Sequence, residues 1–280
     1  MPLEPLPVTD TRAFFRPLGE SFVALLRTLS PDAWHRPTAA GTWRVREVVA
    51  HLVDTGLRRL SFQRDGLRLP NPSRPIAGER DLVQFVNELN HQWIVAAERL
   101  SPRVLTNLYG TVSAELAEFA ASLPLDGPAL FPVSWAGEAA SAAWFDLARE
   151  FTEVWHHQAQ VREAVGAPAS EPRWLHAVLE TSVRALPHAY RDLPAPPGTA
   201  VTLVVDGAVG GVWTLMRAAT GWTIHAGSSD GPAVRVRIDA DSAWRLFFNA
   251  LSPEAAAAAA RIDGDSRLAV PLLGARAVIV

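Results

Sequence analysis

A chain of 280 residues, 49% apolar and 20% charged, is long enough for one large globular domain or two ordinary ones. Its net charge of −3 gives no overall basic field for nucleic acid or an anionic membrane. There is no cysteine, which excludes disulfides, thiolate ligands and a cysteine nucleophile, and all 26 basic residues are arginine, which excludes a Schiff-base lysine.

Any sulfur chemistry must therefore come from the thiol of a bound small molecule. The opening "MPLEPLPVTDTRAFF" has neither a basic n-region nor an apolar h-region, so it does not read as a signal peptide. No run approaches the roughly 18 apolar residues that span a bilayer. The cytoplasm is the expected location, with no membrane and no nucleic acid as partners.

In chain order, "TDTRAFFRPLGESFVALLRTL" places Phe15, Leu18, Phe22, Leu25 and Leu26 at helical spacing, with Thr9 or Asp10 as cap. "GTWRVREVVAHLVDTGLRRLSF" follows, with Thr42 as cap and Val45, Val48, Val49 and Leu52 on one face. "PNPSRPIAG" is a turn-rich break. The next helix runs from about Glu79 to Leu100 and carries Leu82, Val86, Leu89, Trp93 and Ala97. Ser101 and Pro102 are a cap and a first-turn proline for a helix reaching about Leu123.

After the loop "PLDGPALFPVSWAG", Ser141 starts a helix that Gly166 ends, and Ser170 caps a last one to about Arg191. These helices read as an antiparallel bundle over residues 1–193. A proline-rich linker, 194–199, comes next. Over 200–280 the period drops to two: "AVTLVVDG", "GVWTLMRA", "GWTIHAG" and "AVRVRIDA" read as strands. "DSAWRLFFNAL" and "PEAAAAAARI" read as helices, "GDSRLAVPLL" as a turn with a short helix, and "GARAVIV" as a last strand. The expected fold is thus a two-domain chain, a helical bundle followed by a small α+β domain with an antiparallel sheet.

The stretch "EFTEVWHHQAQVREAVG" carries the most distinctive polar pattern. Glu153 and His157 are four apart, one helical turn, and such a pair can share one divalent ion if a third ligand comes from elsewhere. Zinc, or another ion suited to nitrogen and oxygen, fits that donor set. Glu153 with His156, three apart, is also possible, whereas Glu150 is six and seven residues from the two histidines. His51 lies beside an apolar stripe, where a histidine is either a hydrogen-bonded core residue or a ligand. His35, His91, His176, His188 and His225 lack such a partner pattern, although His91 could reach a cavity within the bundle. On spacing alone an ordinary solvated helix face with a weak ion pair explains the Glu/His pair better than a metal site does.

A resemblance separates these readings. "TWRVREVVAHLVD" resembles the tryptophan-to-histidine helix of the DinB-like superfamily, and "EVWHHQAQV" resembles that fold's second metal helix. Glutamate at the first ligand position, with Gln160 downstream, is the pattern of the mycothiol-dependent maleylpyruvate isomerase branch. "VTLVVDGAVGGVWTL", "AVRVRIDADSAWRLF" and "ARIDGDSRLA" resemble that branch's second domain, which is similar to sterol-carrier proteins. The resemblance implies a DinB-like four-helix bundle with His51, Glu153 and His157 as ligands; His156, about 100° further round the helix, is expected to point away. The resemblance also implies an open metal position and a low-molecular-weight thiol such as mycothiol as cosubstrate. A thiol held by the metal is deprotonated, and the thiolate is the nucleophile. In the isomerase it would add to the double bond of maleylpyruvate, and rotation and elimination would give fumarylpyruvate.

The function so implied is a metal- and thiol-dependent isomerase or S-transferase of a small molecule. Arg217, Asn90 and Gln160 are candidate substrate contacts, and Arg217 would suit an anion. Two alternatives stand beside it. One is a metal-dependent hydrolase or amidase of a thiol conjugate, using bound hydroxide. The other is a non-enzymatic lipid binder with a structural metal, for which Trp213, Trp222, Trp244 and Phe247 would line an apolar tunnel instead of a core.

Overall fold

The computed structural model describes residues 3–68 and 74–278. It divides into two compact units. One comprises Asp10–Leu130 and Glu153–Ala169; the other gathers the residues up to Thr9, Phe131–Thr152 and the chain from Ser170 on. The turn-rich break "PNPSRPIAG" lies partly outside the described residues.

The first unit is helical. Helix α1 (Phe15–Thr28) buries Phe15, Leu18, Phe22 and Leu26, as its spacing requires. A 3-10 turn precedes it, and Asp10 accepts the backbone N–H of Arg12. Helix α2 (Val45–Arg59) is not capped by Thr42. Its N-cap is Arg44, whose backbone N–H donates to the Glu47 carboxylate at 2.8 Å, while Val45 N–H is taken by the Arg36 carbonyl. A carboxylate in the first turn also meets the positive end of the helix dipole, and so displaces the hydroxyl two residues upstream.

Helix α3 (Glu79–Ala97) follows, then α4 (Pro102–Ser122), which is capped by Ser101 and opened by Pro102 as expected. Helix α4 packs on α1 and α2, and α2 packs on α3. Helix α5 (Ala143–Val165) contributes its second half to this unit. There Gln158 donates to the Tyr109 hydroxyl of α4 at 3.0 Å, and Arg162 donates to Ser21 Oγ of α1 at 2.8 Å. Gly166, at φ +70, ends α5. Gly166 N–H bonds to Glu163 O and Ala167 N–H to Arg162 O, the paired bonds of a Schellman turn.

The second unit is built on a six-stranded sheet. Strands β1 (Glu4–Pro5), β2 (Ala200–Asp206), β3 (Gly211–Arg217), β4 (Trp222–Ala226), β5 (Val234–Asp239) and β6 (Arg261–Gly264) lie in the order β1-β4-β3-β2-β5-β6. The sheet is mostly antiparallel, with one correction to the expected topology: β2 and β5 pair in parallel, with Val201 opposite Val234. The chain leaves β4 on one side of β2 and returns on the other, so a strand following an odd crossover runs with β2. Strand β6 was hidden as the end of the alanine-rich helix, and two-residue β1 is too short for any periodicity to show.

The last predicted helix is segmented into α6 (Pro172–Ser182), a 3-10 turn and α7 (Leu186–Ala189). Pro187 has no N–H to give to the preceding turn, so a regular α-helix cannot run through it. Its N-cap is Glu171, not Ser170. Helices α8 (Ala240–Phe247), α9 (Pro253–Ala259) and α10 (Val270–Leu273) complete the unit, and α8 lies on β2 and β5. Trp213, Trp222, Trp244 and Phe247 are all buried core residues. No strand forms over residues 275–278, and the end of the expected last strand lies outside the described residues. Among the described residues, no helix is long and apolar enough to cross a membrane.

Candidate metal centre

The ring nitrogen and carboxylate oxygen atoms that His51, Glu153 and His157 can offer a metal all lie within 4.8 Å of one another. Among the described residues, this is the one group of three or more metal-ligating side chains so placed. All three residues belong to the helical unit, His51 on α2 and the others one turn apart on α5. His157 Nε2 is 3.1 Å from Glu153 Oε1, and His51 Nε2 is 3.4 Å from the same oxygen. The two histidines are buried, and the Glu153 side chain keeps 28% of its surface.

Gln160 sets the state of His157. Its carbonyl oxygen accepts from His157 Nδ1–H at 2.8 Å, and its amide donates to His156 Nε2 at 3.1 Å. With a proton fixed on Nδ1, His157 turns Nε2 toward the Glu153 carboxylate. Two electron-rich atoms that close, in a buried site, require a proton or a cation between them. In the protein without metal, a proton serves. Burial pushes the His157 pKa down, but the Glu153 charge and the hydrogen bonds His157 donates to Glu153 and Gln160 outweigh it, so the pKa is raised. Burial also pushes the Glu153 carboxyl up, yet the His157 charge and the hydrogen bonds from His157 and His51 hold it well below the usual carboxylate range. For His51 burial dominates and its pKa is lowered, which leaves a neutral imidazole.

These residues fit a divalent ion. They supply two imidazoles and a carboxylate, the donor set of open catalytic zinc sites. The outer hydrogen bond from His157 Nδ1 is the kind that orients a ligating histidine. Trp43 forms a wall, its ring centroid 4.9 Å from that of His51 and 6.2 Å from that of His157.

Some of this differs from expectation. His156 is not one of the three converging donors, but it is buried, stacks on His157 with centroids 5.4 Å apart, and holds the far end of Gln160. Gln160, with both ends of its amide engaged by histidines, serves to position them. Asn90 accepts from Arg58 at 2.8 Å. Arg217 lies at the end of β3 in the sheet unit and donates to the Ala218 carbonyl at 3.0 Å. His91, a candidate for a cavity, is exposed. Trp43 carried a signal in the "TWRVREVVAHL" motif; the burial of His156 carried none.

Residues 15–162 match the mycothiol maleylpyruvate isomerase N-terminal domain. Among solved structures, the mycothiol-dependent maleylpyruvate isomerase is similar at 16% identity and a TM-score of 0.53, over 86% of this chain and 88% of that one. A histidine-to-alanine mutant of that enzyme is similar at 15% identity with the same TM-score, 0.53, and the same coverage. At these identities the likeness is one of fold. No curated protein matches.

Proposed function

The chain belongs to the mycothiol maleylpyruvate isomerase family through its N-terminal domain, and from that premise we propose that it is a divalent-metal-dependent enzyme that uses a low-molecular-weight thiol, such as mycothiol, to isomerise or conjugate a small unsaturated molecule. In this reading the helical unit is a DinB-like four-helix bundle, and His51, Glu153 and His157 hold the ion, zinc fitting the donors best. The carrying observation is the convergence of the three donor side chains within 4.8 Å, with His157 Nδ1 tied to Gln160.

The ion would supply the positive charge that lowers the pKa of a thiol brought to the site. The chain's own residues prepare the rest. Gln160 keeps a proton on His157 Nδ1, so Nε2 is the ring nitrogen left to ligate once its own proton is displaced. Glu153 brings one negative charge to balance the ion. His51 is held neutral by its burial, so no proton has to leave it first. Trp43 shields one side of both histidine rings from water, which strengthens each electrostatic interaction inside. Cysteine is absent throughout the sequence, so the nucleophilic sulfur is assigned to the cosubstrate. Arg217 remains a candidate for holding the substrate.

The test is a thiol-conjugation screen of the zinc-loaded chain against unsaturated acids, maleylpyruvate included, with mycothiol present or omitted. Turnover that requires mycothiol supports the reading. Turnover that is unchanged without any thiol contradicts it and favours hydrolysis.

A further inference from the structure

Two helical turns beyond His51, α2 carries Arg58. Seven residues bring a helix back to within about 20° of the same face and about 10 Å along its axis. Helical side chains lean toward the N-terminus, so the Arg58 side chain extends back along α2 toward His51.

Arg58 is held from two sides. Its Nη2 donates to Asn90 Oδ1 of α3 at 2.8 Å and lies 3.0 Å from Asp54 Oδ2, one turn back on α2. Both braces are buried, Asp54 with 12% of its side chain exposed and Asn90 with 9% of its surface. A guanidinium has five N–H donors, and among the described residues only Nη2 of Arg58 is engaged. Nε is buried with no acceptor. Immediately past Arg59 the helix widens into a π-helical turn, Leu60–Arg64, in which Asp65 N–H reaches back five residues to Leu60 O. Such turns concentrate at functional sites.

We propose that Arg58, braced by Asp54 and Asn90, is the anion-recognising residue beside the metal centre, taking a carboxylate of the substrate. The braces fix the plane of the fork, and its remaining donors match a carboxylate in shape and charge. Asn90 is thus a positioning residue for Arg58. The ligand class is a small unsaturated carboxylic acid. This inference rests on the metal-dependent reading of the site.

The experiment is a calorimetric titration of maleate, a cis-unsaturated dicarboxylate, into the zinc-loaded full chain, with zinc content and thermal midpoint read for every sample. Arg58→Gln removes the fork but strands Asp54, so the double variant Asp54→Asn/Arg58→Gln, which strands no charge, is measured beside it. The expected result is binding by the parent chain and a loss of about tenfold or more in both variants, with zinc content unchanged. Three results would overturn the inference: a zinc-loaded parent that does not bind maleate, variants that bind as the parent does, or variants that lose zinc together with maleate. A parent chain that takes up no zinc contradicts instead the metal reading on which the inference stands.

Discussion

His157 has a different partner at each ring nitrogen, Glu153 at Nε2 and Gln160 at Nδ1. Glu153 raises its pKa, so near neutral pH without metal it holds the Nε2 proton more firmly than an ordinary histidine. An incoming ion has to displace that proton. Zinc binding near neutral pH is therefore expected to release about one proton per site, seen as heats that change with the ionisation enthalpy of the buffer. Heats independent of buffer would contradict the pairing. The direction with pH follows: a raised His157 pKa means that protons compete from higher pH, and affinity falls as the solution is acidified. His51, with its lowered pKa, adds competition only at lower pH. Gln160→Leu removes the group that fixes the Nδ1 proton. It should weaken zinc roughly tenfold to a hundredfold while leaving the circular dichroism spectrum unchanged, and undiminished affinity would assign Gln160 no part. The one-turn spacing of Glu153 and His157 offered the pair as a candidate, and the resemblance, with His51 as third partner, set it above an ordinary polar helix face. The burial of His156 was not legible in the sequence. A rotation of about 100° suggests solvent only when one face of a helix is packed, and α5 is buried around most of its circumference from Glu150 to Gln160.

At the scale of elements, α2 matters most, because it carries His51 and, further along, Asp54 and Arg58. Its fit against α4 depends on Gly56. A Cβ built there would stand 2.5 Å from Val112 Cγ1, and Val112 is itself buried. Alanine is the better helix former by about 1 kcal/mol, yet the overlap forces α2 and α4 apart. Gly56→Ala is expected to destabilise the chain by about 1–3 kcal/mol, measured as a lowered urea midpoint; an equal or higher midpoint would show that Val112 yields freely. The long helices could be read from the sequence because each buries a stripe at a period near 3.6. Their starts were less legible. Ser101 with Pro102 is a complete local signal, whereas the start of α2 depends on Glu47 reaching back to Arg44, and that of α6 on Glu171. Of the four central strands β5 alternates clearly between buried and less buried positions, and β2 and β3 stand out as apolar runs bounded by turn residues. Strand β6 does not, since its four residues follow an alanine run with no turn residue between them.

At the scale of the whole molecule, the chain brings together residues far apart in sequence. His51 and Glu153 are separated by 102 positions, yet both belong to one compact unit. Sequence order alone could not show that the second half of α5 packs in the same unit as α1, α2 and α4. The parallel pairing of β2 with β5 was hidden for the same reason: local alternation says which residues form strands, and the crossover decides their direction. An ion held at the three donors would link segments that the unfolded chain keeps apart. A ligand that binds only the folded chain stabilises it by about 2.7 kcal/mol at a hundredfold excess over its Kd.

The central claim is that His51, Glu153 and His157 form a metal site, and metal analysis of the purified full chain tests it most directly. After zinc loading and removal of excess ion, the parent is expected to retain one equivalent per chain and to melt higher than a chelator-treated sample. His157→Ala should retain none and show no difference between the two treatments. Equal zinc in parent and variant, or none in the parent, would contradict the claim.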